Sequence, residues 1–246
     1  MPASKNRNLM SRREALETFG ALGLAMVFPA GGANGLREGA PLDCVVVPEM
    51  TEGPFFVDEK LERSDLTTDT GEPFVTKAFP LLLHIAVFQA KGRACSPIVG
   101  AQVDVWHASA EGVYSDETSG RIQDKDTSGE KYLRGYQRTD EHGAVSFRTI
   151  YPGWYPGRTV HIHFKIRTFS KSGRQASDFT SQLFFDDALN DVILGKPPYN
   201  SRGERRMRNA NDGIYRRGHG STLIRKAKES EDGKSCLAAF NIGLEI

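Results

Sequence analysis

The 246-residue chain lacks most of the features that would class it at a glance. No stretch approaches the roughly 18 apolar residues that a spanning helix needs, so no stable membrane anchor is expected. Three cysteines and no Cys-x-x-Cys exclude a disulfide-built scaffold, a cysteine zinc knuckle and a thioredoxin-type site. Charge of one sign is also missing. The 32 Lys and Arg nearly balance the 31 Asp and Glu, for a net +1, so the chain is not built to coat nucleic acid or an anionic membrane. Internal repeats and low-complexity linkers are absent. Amphipathic helices of ordinary length are not evident beyond the N-terminal segment, apart from a helical turn at Asp186 to Leu194.

The first 33 residues read as a leader rather than as part of the fold. Lys5, Arg7, Arg12 and Arg13 form a basic start, Ser11-Arg12-Arg13 has a twin-arginine pattern, and Phe19 to Phe28 is a short apolar stretch. Gly31-Gly32-Ala33 supplies the small residues of a cleavage site. Ala15 stands where such leaders usually carry Phe, and Glu14 and Glu17 are acidic. The expectation is export through the twin-arginine machinery to the periplasm or beyond. Removing four basic and two acidic residues leaves 28 against 29 over residues 34–246 (246 − 33 = 213 residues), about neutral. An oxidising destination permits one disulfide among Cys44, Cys95 and Cys236, with one thiol left over.

Beyond the leader, short runs rich in Val, Ile and Phe alternate with Gly, Pro and Asp punctuation, the pattern of an all-β domain. Pro80 to Phe88 is nearly continuous in apolar residues and reads as a strand buried on both faces. Ala101 to Trp106 and Val145 to Arg148 alternate cleanly. Val160 to Thr168, Ser181 to Phe185 and Cys236 to Ile242 complete the set. The polar run Asp116 to Gly129 reads as a long loop. Arg202 to Arg217 holds six Arg but only Tyr215 as an aromatic, which reads as a solvated loop or subunit contact, not a nucleic-acid platform. The fold expected is one β-sandwich of mixed sheets with long loops.

Chemistry concentrates in Cys95 to Asp116 and Arg134 to Ile166. His161 and His163 lie two apart on a strand, so both point to one face, with Lys165 behind them and Ile162, Phe164 and Ile166 on the other. Two imidazoles so placed can ligate one metal ion, and a merely exposed strand face is the other reading. Tyr155, between Gly153 and Gly157, enters this strand through a turn, and Arg158 lies three residues before His161. Tyr114 follows a turn in EGVYSD. Aromatic packing at strand ends accounts for either tyrosine alone. Two Tyr, two His and an Arg around strand ends point instead to a hard trivalent metal. A phenol of pKa ~10 ionises at neutral pH only beside strong positive charge, and zinc more often takes Cys, His and carboxylate.

On these residues the chain resembles the intradiol ring-cleavage dioxygenases, the catechol, hydroxyquinol and protocatechuate enzymes. The matching segments are TEGPF (51–55), GAQVDVWHASAEGVYS (100–115), RGYQRTDEHG (134–143), YPGWYPGRTVHIHF (151–164), SQLFF (181–185) and NANDGIY (209–215). PGWYPGR followed by HIHF is the most specific of them. The likeness is to the short exported members, without the N-terminal helical dimerisation domain of the cytoplasmic catechol enzymes. It implies an Fe(III) held by Tyr114, Tyr155, His161 and His163 together with a solvent hydroxide. It places Arg158 beside the reacting carbon, Gln182 near the oxygen site and Pro54 along the substrate pocket. Tyr155 and the hydroxide are expected to take the two protons of an incoming diol. The implied partners are a small aromatic diol and O2, the product a cis,cis-muconate, and a homo-oligomer is allowed. Ala108 stands where exported relatives often carry Cys, so no disulfide is carried over. The rival reading is a transthyretin-like or carboxypeptidase-regulatory β-sandwich that binds without catalysis, a module with no reason to keep the Tyr and His quartet together.

Overall fold

The computed structural model describes residues 45–246 apart from 70–71, 74–76, 93, 121, 226–227 and 230–233. The expected leader (1–33) and Cys44 lie outside the described residues. In chain order the strands are β1 (Val45–Val46), β2 (Thr68–Asp69), β3 (Glu72–Pro73), β4 (Pro80–Lys91), β5 (Ala94–Pro97), β6 (Gln102–Trp106) and β7 (Arg134–Arg138). They continue as β8 (Ala144–Ile150), β9 (His161–Phe169), β10 (Gln175–Phe185), β11 (Ile224–Arg225), β12 (Lys228–Glu229) and β13 (Cys236–Leu244). Two short helices, α1 (Asp187–Leu194) and α2 (Gly213–Arg217), follow β10.

Apart from the β2–β3 pair, the strands make two mixed sheets that pack face to face, an all-β sandwich as expected. One runs β1-β13-β4-β5, with β8 also on β4 and β12 on β13, and β13 pairs β4 in parallel. The other runs β11-β10-β9-β6-β7 and is antiparallel except for β11. Alternating residues meet between them: Leu83, Phe147, Phe240 and Ile242 from the first sheet, Val103, Val105, Ile162, Phe164, Ile166 and Leu183 from the second. Each such side chain, fully buried, contributes about 1.5–3 kcal/mol.

The reading of Pro80 to Phe88 as buried on both faces is corrected here. Leu81, Leu83, Ile85 and Val87 are buried, but Leu82 is 42% exposed. Both edges of β4 are hydrogen-bonded to neighbours, yet only one of its faces meets the opposing sheet. The helical turn expected at Asp186 to Leu194 is α1. Asp186 caps it by accepting from the Ala188 amide at 2.8 Å, and Ile193 and Leu194 face inward. Cys95 on β5 is disulfide-bonded, while Cys236 on β13 is a buried thiol. Among the described residues no helix is long and apolar enough to cross a membrane.

Candidate metal centre

β9 carries the centre. Ile162, Phe164 and Ile166 point into the core, so the period-2 geometry of the strand turns His161, His163 and Lys165 to the outer face of the five-stranded sheet. Cross-strand register adds the rest of that face. Gln182 of β10 and Trp106 of β6 both lie opposite His163, and the Trp106 indole stacks on the His163 ring at 4.9 Å and 10°. Lys165 is drawn off by the loop over residues 51–57. Its ammonium pairs with Glu52 and sits 4.5 Å over the Phe56 ring.

Both tyrosines arrive on loops, and the two loops touch through bare backbone. Each has glycine two residues before its tyrosine, in Gly112-Val113-Tyr114 and Gly153-Trp154-Tyr155. A Cβ on Gly112 would lie 2.0 Å from the Trp154 carbonyl oxygen, and one on Gly153 would lie 2.4 Å from those of Ser109 and Ala110. The Gly153 amide donates to Ser109 O at 3.0 Å, which ties the crossing. Gln123 and Thr127 then grip the Tyr114 main chain. The Tyr114 amide donates to Gln123 Oε1 (2.9 Å), and Tyr114 O accepts from Gln123 Nε2 (3.2 Å) and Thr127 Oγ1 (2.7 Å). Phe55 stacks on the Tyr114 ring at 4.3 Å and meets Tyr155 edge-on at 6.2 Å. The buried Arg134 donates to Phe55 O (3.1 Å), to Ser115 Oγ (2.8 Å) and to Ser115 O, joining the loop of Phe55 to that of Tyr114.

The four side chains converge. His161 Nε2 lies 3.1 Å from His163 Nε2, 3.2 Å from the Tyr155 oxygen and 3.5 Å from that of Tyr114. Donors each about 2.1 Å from a shared metal stand about 3.0–3.4 Å apart, so this spacing suits one ion. His161 Nδ1 donates to Thr159 O at 2.6 Å, which leaves Nε2 as the free lone pair, as in most metal-bound histidines. Burial pushes the His161 and His163 pKa values well down and keeps both rings neutral, the form that binds metal. Burial likewise raises both phenols, Tyr114 well above its ordinary value. Ionising them takes a strong cation held between them. Among the described residues no trio of His, Cys, Asp or Glu is placed to hold a metal ion, so only the phenols complete such a set.

Arg158 closes one side. Its Nη1 lies 3.2 Å from His161 Nε2, Nη2 donates to Gln182 Oε1 at 2.5 Å, and Nε donates to Asp212 Oδ2 at 2.8 Å. Gln182 Nε2 in turn donates to Thr51 O (2.8 Å), fastening the TEGPF loop across the face. In that loop Gly53 adopts φ +74° and passes so near His163 that a Cβ would lie 3.3 Å from its Cε1. Pro54 is exposed at the rim and Phe55 is buried.

Sequence reasoning passed over Asp212, Asn209, Arg134, Gln123 and Thr127. The Arg202 to Arg217 segment, read as a solvated loop or subunit contact, is corrected in part. Arg205 and Arg208 pair with Asp187 and Asp191, the Arg205 side chain itself largely buried, and Asn209 and Asp212 just beyond them are buried against the centre. Asp212 was marked by an N-cap signal, Asp before Gly-Ile-Tyr, and by its place in the matched NANDGIY segment, without a role. His107, within the matched GAQVDVWHASAEGVYS segment, is buried beside the site, with Nε2 2.7 Å from Thr149 Oγ1.

Comparison with known proteins bears on the family and the fold. A family model described as "Dioxygenase" matches residues 51–245. Catechol 1,2-dioxygenase 1 of Acinetobacter lwoffii is 27% identical over 147 residues, 50% of this chain and 42% of that protein. Catechol 1,2-dioxygenase of Acinetobacter baylyi is 32% identical over 113 residues, 44% of this chain and 32% of that one. The chain therefore matches less than half the length of these two curated relatives. An intradiol ring-cleavage dioxygenase from Tetranychus urticae superposes with a TM-score of 0.69 at 32% identity, covering 82% of this chain and 95% of that one. The dioxygenase domain of a carbohydrate-binding fusion from Streptomyces sp. SirexAA-E gives 0.54 at 29% identity, covering 82% and 99%.

Proposed function

The chain belongs to the intradiol ring-cleavage dioxygenase family, and from that premise we propose that it binds Fe(III) and uses O2 to open a catechol-type ring between its two hydroxylated carbons. The observation that carries the proposal is the meeting of two phenols and two imidazoles within 3.1–3.5 Å around His161 Nε2. The family match leaves the non-catalytic sandwich without support.

Tyr114, Tyr155, His161 and His163 would hold the iron, and neutral imidazoles with ionisable phenols match the needs of a hard trivalent ion. When bound, Fe(III) supplies Lewis acidity towards the two diol oxygens. The protein supplies the rest. Tyr155, less tightly held than Tyr114 and next to Arg158, is the phenol whose oxygen takes up a proton from the entering diol. Phe55, stacked on Tyr114, keeps water from that side, and Pro54 at the rim lines the approach of the ring. Arg158 places a cation where the ring gains negative charge, a contribution of about 3 kcal/mol for comparable donors in dry sites. Gln182 keeps that guanidinium turned toward His161. The product is a cis,cis-muconate-type diacid.

Export to an oxidising compartment belongs to the same proposal, and the disulfide at Cys95 supports it. Fractionation of cells expressing the full chain, followed by blotting, reads that location directly. The central test is iron reconstitution followed by oxygen uptake on a panel of catechols, with product identification. Loaded protein is expected to be burgundy and to consume one O2 per diol, and His161→Ala to lose both iron and turnover. Full iron and turnover in His161→Ala would remove the ligand assignment.

A further inference from the structure

Arg158 is a long, flexible cation, yet its Nε and Nη2 are both tied to side chains, and only one of the two partners is an anion. That anion is Asp212, 54 residues further along the chain. Its side chain is 1% exposed, and both carboxylate oxygens are fully used. Oδ2 accepts from Arg158 Nε (2.8 Å) and from the Thr159 amide (2.9 Å). Oδ1 accepts from the Ile214 (2.7 Å) and Tyr215 (3.0 Å) amides, capping α2. Burial pushes the Asp212 carboxyl up, but the Arg158 charge and the Thr159 and Tyr215 amides outweigh it. The net direction is down, so the group is anionic at neutral pH.

Asn209, three residues earlier, holds the same spot. Its Oδ1 accepts from Thr159 Oγ1 at 2.6 Å, and its Nδ2 donates to Phe185 O at 2.9 Å. The Asn209-x-x-Asp212 turn thus clamps the dipeptide Arg158-Thr159. One residue of that dipeptide carries the cation, and the carbonyl of the other orients His161. A guanidinium–carboxylate contact with further amide donors is charge-assisted and directional, which fits it to hold a side chain rather than merely attract it.

We propose that Asp212 is a positioning residue: its carboxylate fixes the Arg158 guanidinium beside the centre, and it acts on ring cleavage through Arg158. The proposal rests on the dioxygenase reading for its catalytic consequence, though not for the geometry it predicts.

The test uses full-length, iron-loaded protein with Asp212→Asn, and with Asp212→Ser as a second variant that keeps a good helix cap while releasing Arg158. Five quantities are read: iron per protein, kcat and KM for the best diol, the absorption change on anaerobic diol binding, and the crystallographic position of the guanidinium. A shift of about 1 Å in a charge-stabilising group costs about 100-fold. Both variants are therefore expected to lose about 30- to 100-fold in kcat, with iron content, KM and the anaerobic spectrum near wild type and the guanidinium displaced. Arg158→Ala combined with Asp212→Ser is expected to be no slower than Arg158→Ala alone.

Wild-type kcat in Asp212→Ser, or a double variant well below Arg158→Ala, would overturn the proposal, since a merely structural role would also move the second of these. An unmoved guanidinium would overturn it as well. Should the wild-type protein consume no O2 with any diol, the dioxygenase reading falls, and the crystallographic comparison still decides whether Asp212 places Arg158.

Discussion

The crossing of the two tyrosine loops can be probed one glycine at a time. Gly112 combines φ +73° with a backbone oxygen 2.0 Å from where a Cβ would sit, so an alanine there meets both obstacles. Gly153 has the close approach without the positive φ, its Cβ position lying 2.4 Å from two carbonyl oxygens. Gly157 has φ +89° and nothing within 4 Å of its Cβ position, so alanine meets only the torsional cost. That cost is about 1–2 kcal/mol for a non-glycine residue. For the clash, the Gly112 methyl must retreat from 2.0 Å to the 3.4 Å of ordinary contact, so one loop moves by about 1.4 Å. Overpacking of that kind costs about 1–3 kcal/mol.

Gly157→Ala should therefore lose about 1–2 kcal/mol and Gly153→Ala about 1–3 kcal/mol. Gly112→Ala should lose about 2–5 kcal/mol, or roughly 5–15 °C in Tm for a domain of this size. Calorimetry of the three purified variants gives the ranking, and iron per protein reports whether the displacement reaches Tyr114. Equal melting of Gly112→Ala and Gly157→Ala, with full iron in both, would refute the idea that the loops are registered by backbone contact.

Two further outcomes are expected. Burial pushes His107 down to about 4, from an ordinary 6.5. The native state thus binds fewer protons than the unfolded chain, and this contribution to stability is full above pH 6.5 and lost as pH falls towards 4. The gap is worth about 3 kcal/mol. Urea midpoints of metal-free protein across that window should fall less steeply in His107→Gln than in wild type, and parallel profiles would contradict the assignment. Arg134→Met removes a buried cation and leaves the Phe55 and Ser115 carbonyls without their donor. It should cost about 2–4 kcal/mol in urea unfolding, and a loss under 1 kcal/mol would show that the two loops hold together without it.

What could be read from the sequence was what repeats locally. The strands β6, β8 and β9 follow apolar alternation, β10 and β13 stand out as short apolar runs between polar segments, and the shared face of His161 and His163 follows from strand period alone. The convergence of Tyr114 and Tyr155 on that face came from resemblance, because a loop's path is set by contacts far away in sequence. The segments misjudged have one cause in common. Pro80 to Phe88 looks doubly buried because Leu82 matches its neighbours in type, yet which face meets the other sheet is decided by tertiary packing. In Arg202 to Arg217 the exposed arginines set the average character, which hides the two inward residues, Asn209 and Asp212. Gln123 and Thr127 likewise resemble any polar loop residue until Tyr114 is placed beside them.

That grip on Tyr114 has an evolutionary side. Gln123 and Thr127 bind only its main-chain atoms, and in the described part of 117–129 they are the only buried residues. Among the described residues, the rest of the loop makes no hydrogen bond to the Tyr114, Tyr155, His161 or His163 side chains. A lineage can rewrite those outward positions, and with them what the protein meets at its surface, while the phenol stays where it is. Adaptation and inheritance are thereby assigned to different atoms of one loop.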